Sequence, residues 1–189
     1  MYVDIGYILD SSGSLSAHYD TEKMFLKELA ESFGVNTDSR AGVVTFSSHA
    51  ELSIKLNDHF DLASFNRAVD EIPLMDLGTR IDRSLKVAHK QLFSTSNGAR
   101  QGIPKILFLL TDGSQSKEND SEDPAKIADE MRSEGIRIIA IGIGINVDQN
   151  ALEDIAGGKS DTFSAKSFNE LISKEFIKRV VNKKCDLGK

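Results

Sequence analysis

Three separate stretches of this chain carry oxygen-bearing side chains that can act together on one ligand. Asp10, Ser12 and Ser14 lie in the run Asp-Ser-Ser-Gly-Ser, Thr79 stands alone further on, and Asp112 belongs to Thr-Asp-Gly. The apolar run at residues 3–9 ends on Asp10, and the run at 106–110 ends on Thr111 and Asp112. As neighbouring parallel strands, these runs would deliver two carboxylates to one sheet edge, where open α/β folds bind ligands. Carboxylates held close repel unless a cation lies between them, and nearby hydroxyls complete a hard, all-oxygen site suited to Mg²⁺. Neither His nor Cys belongs to this set.

Such a site needs a scaffold, and the apolar spacing outlines one. Met24, Phe25, Leu29 and Phe33 recur at helical intervals and predict a helix over 19–33 with one face on the sheet. Residues 40–46 and 50–56, joined by a turn at 47–49, predict a hairpin whose second strand is an antiparallel edge. Asp61 is the predicted cap of a helix to residue 71, with Leu62, Phe65 and Val69 facing inward. Pro73 and Gly78 break the chain before Thr79, and Ile81, Leu85, Ala88 and Leu92 predict a helix over 80–93. Residues 94–102 read as a surface loop, after which Pro104 opens a fourth strand.

The polar stretch 114–123 predicts a mobile loop, closed by Asp123 as cap and Pro124 in the first turn of a helix to 133. A fifth strand over 136–141, a helix over 148–156 and a strand over 161–165 follow. Ser167 and Glu170 predict a capping box for one final helix, 167–182, with Leu171, Phe176, Ile177 and Val180 buried. The sum is an α/β, Rossmann-like, doubly wound six-stranded sheet, mostly parallel with one antiparallel edge strand and helices on both faces. No internal repeat appears, so residues 1–189 form a single domain, with a core over about 3–182 and a tail over 183–189.

Composition narrows the function. A chain of 189 residues with 40% hydrophobic content builds an ample core. The net charge of −6 argues against a nucleic-acid partner, which wants a basic face. No apolar run reaches the length of a membrane span. Met1-Tyr2 runs straight into the first strand, which fits either a cytosolic protein or a mature domain with Met1 added as a start; the second reading is preferred.

The pattern Asp-x-Ser-x-Ser, distant Thr, distant Asp resembles the metal-ion-dependent adhesion site of von Willebrand factor A domains and integrin inserted domains. All five positions match in order, and the resemblance spans about residues 3–185. It implies Ser12 and Ser14 as direct ligands, Asp10 acting mostly through water, and Thr79 and Asp112 exchanging direct contact between states, a shift that accompanies a slide of the final helix in integrin inserted domains. It implies Mg²⁺, with Mn²⁺ as the alternative, and a sixth position filled by an Asp or Glu of the partner. The function so implied is a non-catalytic, secreted adhesion or matrix-binding module within a longer chain, with a matrix protein or receptor as partner and collagen a candidate. No clear extra helix of the collagen-binding integrin type appears, so a matrix-protein A domain is the nearer likeness. The alternative is an intracellular assembly subunit acting with an ATPase or chelatase. A Mg²⁺ phosphatase would need an acid where Ser12 stands.

The resemblance also bears on Cys185, the single cysteine. In extracellular relatives a Cys after the last helix often bridges one before the first strand, a place that here would precede Met1; an incidental surface thiol is the other reading. The remaining signals are weaker. Gly142-Ile-Gly-Ile-Asn146 lacks the third glycine of a dinucleotide loop and reads as a turn. His18, His49, His59 and His89 are scattered singly and read as surface residues, although His18 follows the metal loop and can border a contact surface. Asn119-Asp-Ser121 is a glycosylation sequon with a poor middle residue, and the basic residues 178, 179, 183 and 184 suit a helix C-terminus.

Overall fold

The computed structural model describes residues 2–36, 38–75 and 77–182. The predicted tail, including Cys185, lies outside them. Strands β1 (Val3–Asp10), β2 (Ser39–Phe46), β3 (Ala50–Ile54), β4 (Lys105–Thr111), β5 (Ile136–Ile143) and β6 (Thr162–Ala165) form one sheet in the order β3-β2-β1-β4-β5-β6. Only the β2–β3 pair is antiparallel, and it lies at the edge, as the hairpin reading expected. β1 and β4 are direct neighbours, with Leu9 opposite Leu110. That pairing sets the ends of the two acid-bearing strands side by side.

Helices cover both faces of the sheet. α1 (Tyr19–Phe33), α2 (Leu62–Glu71), α6 (Phe168–Leu171) and α7 (Lys174–Val181) bury Phe25, Phe65, Leu171 and Phe176 on one side. α3 (Ile81–Val87), α4 (Pro124–Ser133) and α5 (Gln149–Ala156) bury Leu85, Met131 and Ile155 on the other. The central strands β1, β4 and β5 are almost wholly apolar and buried on both faces, the expected signature of parallel strands under helices. Asp61, Asp123, Asp148 and Ser173 accept backbone N–H groups as helix caps.

Four expectations need correction. The final helix is two: Ser167 caps α6, and Ser173 accepts the Phe176 N–H at 3.2 Å and starts α7, so the single run 167–182 is broken between Leu171 and Lys174. The helix at 80–93 is regular only to Val87 and continues as a π-helical turn, Ala88–Leu92. That turn lays Leu92 on the sheet where Gly6 and Gly42 are paired in register: a Cβ on Gly6 would come within 2.7 Å of Leu92 Cδ2, and one on Gly42 within 2.5 Å of Leu92 Cδ1. Met24 is 48% exposed, because the buried stripe of α1 runs through residues 22, 25, 26, 29, 30 and 33. His89 is buried and sits 2.9 Å from Glu134 Oε2.

Candidate metal centre

Asp10, the last residue of β1, is fully buried, with both carboxylate oxygens held. Oδ1 accepts the Ser12 N–H at 2.9 Å and Oδ2 accepts the Thr111 hydroxyl at 2.6 Å. Burial pushes its pKa up to about 6; the Thr111 and Ser12 hydrogen bonds oppose this, and the Asp112 charge adds to it. The Asp10 carboxylate therefore gains from a nearby cation.

The loop after β1 turns outward through a short 3₁₀ stretch, Gly13–Leu15. Ser12 Oγ lies 3.2 Å from Ser14 Oγ, and Ser14 donates its hydroxyl to Asp112 Oδ1 at 2.9 Å. Asp10, Ser12, Ser14 and Asp112 thus form one connected cluster, and Thr111 joins its two carboxylate-bearing strands. Thr79 reaches the cluster from the side. Its hydroxyl lies 3.8 Å from where a Cβ on Gly113 would stand, next to Asp112. Gly13 donates its N–H to the Leu77 carbonyl at 3.0 Å, and Met75 donates its N–H to Ser11 Oγ at 2.7 Å, so the segment leading to Thr79 is laid along the loop after β1.

Arg80 holds that segment against the loop after Asp112. Its guanidinium is 1% exposed and grips Asp82 in a fork at 2.9 and 2.8 Å, with Glu118 and Asp120 each at 2.8 Å. Burial pushes the Asp82 carboxyl up, but the Arg80 guanidinium and the Glu122 backbone N–H outweigh it and hold the group well below the usual range. Ser116 adds a two-way backbone link: its N–H donates to the Thr79 carbonyl at 2.7 Å, and its Oγ accepts the Thr79 N–H at 3.0 Å. The polar stretch 114–123 is therefore tethered, contrary to the mobile loop expected from its composition.

The cluster offers two carboxylates and three hydroxyls. Among the described residues no three of His, Cys, Asp and Glu converge closely enough to hold an ion by themselves, so the hydroxyls must share in any coordination. Such all-oxygen sites suit hard cations such as Mg²⁺, and a partly hydrated ion keeps room for an outside oxygen. Sequence reasoning named all five residues of this cluster and overlooked Thr111 and Arg80. Thr111 carried a signal, as a polar residue at the end of an apolar strand beside Asp112; Arg80, one residue after Thr79, carried none that distinguishes it from a solvated charge.

The sequence matches the von Willebrand factor type A domain over residues 4–181. The chain belongs to this family. The collagen alpha-5(VI) chain of Homo sapiens is 31% identical over 189 residues, covering 99% of this chain and 7% of that protein. Matrilin-1 of Gallus gallus is 30% identical over 156 residues, covering 82% of this chain and 30% of that protein. Among solved structures, proximal thread matrix protein 1 from the mussel byssus, with a zinc-occupied MIDAS motif, superposes with a TM-score of 0.87 at 28% identity, over 97% of this chain and 46% of that one. The chain thus spans less than half the length of each of these relatives. Its sheet, with one antiparallel edge strand, is the family architecture expected from the sequence.

Proposed function

We propose that this von Willebrand factor A domain is a non-catalytic adhesion module of an extracellular matrix protein. It holds one Mg²⁺, or Mn²⁺ in its place, among Asp10, Ser12, Ser14, Thr79 and Asp112, and grips an Asp or Glu of a protein partner. The observation that carries this reading is the Ser14–Asp112 hydrogen bond, which closes the metal loop onto the end of β4 and brings hydroxyls between two carboxylates. A bound ion supplies a charge-dense point to which a foreign carboxylate can attach. Hydroxyl donors neutralise less of that charge than carboxylates would, so the ion keeps its attraction for an incoming anion. The kinship with collagen VI chains and a matrilin supports a matrix setting, with collagen among the candidate partners.

Two exposed apolar side chains border the cluster. Leu77, 51% exposed, is bridged to Ser12 by its backbone, and Ile145, 95% exposed, lies in the turn whose Asn146 carbonyl accepts the Ser114 hydroxyl at 3.2 Å. A partner whose acidic residue has apolar neighbours matches this rim. Calorimetry with MgCl₂, and capture of matrix proteins with and without EDTA, test the reading. Asp112→Ala is expected to abolish the binding heat while the far-UV spectrum stays native, and EDTA is expected to release the partner. Unchanged metal affinity in Asp112→Ala, or capture that survives EDTA, would sink it.

A further inference from the structure

Glu22 occupies the first turn of α1, one turn beyond Tyr19 on the sheet-facing side of the helix. Its side chain is fully buried, and neither carboxyl oxygen has a hydrogen-bond partner. Nearly all buried polar groups in folded proteins are paired, and a buried carboxyl left unpaired destabilises the fold. The surroundings deepen the conflict. Burial drives the Glu22 pKa well up, and the charges of Asp10 and Asp112 drive it further in the same direction. Both of those carboxylates belong to the cation cluster, and Tyr19, on the same helix face as Glu22, donates its hydroxyl to the Pro73 carbonyl at 3.2 Å, the same carbonyl that accepts the hydroxyl of Ser11, next to Asp10, at 3.4 Å. Two fully buried carboxyls, Glu22 and Asp10, and the half-buried Asp112 are therefore gathered at the ends of β1 and β4.

A cation in that region would relieve the repulsion. Among the described residues no three acidic, His or Cys side chains converge closely enough to hold an ion themselves, so Glu22 is not a third direct carboxylate ligand. Groups behind the direct ligands tune metal affinity by charge and by holding ordered water, and their loss typically weakens binding. We propose that Glu22 is a buried positioning residue of the cation site, strengthening the hold of Asp10, Ser12, Ser14, Thr79 and Asp112 on Mg²⁺ from the interior side. The proposal rests on the metal reading of that cluster. A carboxyl at this place acts as a conditional element: it opposes the metal-free fold and favours the loaded one.

The test compares the whole chain with its Glu22→Gln and Glu22→Met variants. Titration calorimetry with MgCl₂ and MnCl₂ is expected to show affinity about 10- to 100-fold lower in both variants. Thermal melts in EDTA are expected to show both variants at or above the wild-type melting temperature, since each removes an unpaired buried acid. The upward shift of melting temperature on adding Mg²⁺ is expected to shrink in both. Wild-type binding with unchanged affinity in the variants would overturn the role of Glu22 and leave the metal reading standing. Loss of affinity together with a lower metal-free melting temperature would mark Glu22 as a structural residue and also overturn it. No binding heat in the wild type would overturn both readings.

Discussion

The imidazole of His18 stacks on the ring of Phe168, with centroids 4.2 Å apart and planes 15° apart. His18 ends the loop after β1 at the N-terminus of α1, and Phe168 opens α6, so the stack joins that loop to the C-terminal helices. The break between α6 and α7 divides this end of the chain into two short helices. Below it, Phe176 meets Phe25 and Phe163 at ring distances of 6.0 and 6.4 Å, so α7 is seated by discrete aromatic contacts. His18→Ala is expected to speed amide hydrogen exchange across residues 168–181 while leaving exchange in β1 and β4 unchanged. An exposed aromatic stack of this kind contributes about 0.5–1 kcal/mol. Equal exchange in the variant would show that the contact does not restrain the helices.

Arg80 is the tether of the Thr79 side of the site. Arg80→Ala leaves the buried Asp82 carboxylate without its counter-ion, held only by the Glu122 N–H, and removes the Arg80 links to Glu118 and Asp120, so a loss of about 3–5 kcal/mol in unfolding free energy is expected. Urea melts read that loss directly. Arg80→Lys is expected to fall between the two, because an ammonium cannot reproduce the fork to Asp82 while also reaching Glu118 and Asp120. A fully stable Arg80→Ala protein would show that the loop after Asp112 holds Thr79 without it.

Acidity offers a separate test. The Asp10 carboxyl is raised from 3.8 to about 6 in the metal-free fold, chiefly by burial. A carboxyl with a raised pKa binds its proton more tightly folded than unfolded. Its contribution therefore favours the fold below the unfolded value and is lost as pH rises through about 4 to 6. In EDTA the Asp10 contribution to the melting temperature is expected to decline across that window and to be absent in Asp10→Asn. With Mg²⁺ present the direction reverses, because the ion requires the carboxylate and binds more weakly as pH falls through about 6. A melting profile in EDTA identical for wild type and Asp10→Asn would rule the burial argument out.

The apolar rim separates partner binding from metal binding. Leu77→Ser and Ile145→Ser are each expected to weaken partner capture by about tenfold or more, the order set by the transfer energy of one such side chain. Neither should alter Mg²⁺ affinity, since Leu77 touches the metal loop through its backbone carbonyl and Ile145 through the neighbouring Asn146. Capture unaffected by both changes would place the contact surface elsewhere.

Local chemistry determined much of this protein from the sequence alone. Apolar runs ending on Asp10 and on Thr111-Asp112 marked β1 and β4, because strands buried under helices tolerate few polar residues and polarity returns where the sheet edge meets water. Asp61, Asp123 and Asp148 announced their helices because capping depends on only a few neighbouring residues. The five oxygen donors were legible as a set once two strands were expected to end side by side.

Tertiary structure decided the rest, wherever a residue's role depends on what packs against it from far along the chain. The loop 114–123 reads as polar and loose, yet Arg80, 38 positions before Glu118, pins it by bonds no local pattern encodes. The run 167–182 keeps helical spacing through Leu171, Phe176 and Val180, but Ser173 caps a second helix there and divides it. His89 and Met24 exchange their expected places because burial follows the facing surface of a helix and not the residue type alone. Glu22 is the sharpest case: in sequence it is one more acid in an early helical turn, and only the docking of α1 over the ends of β1 and β4 makes it a buried carboxyl beside two others.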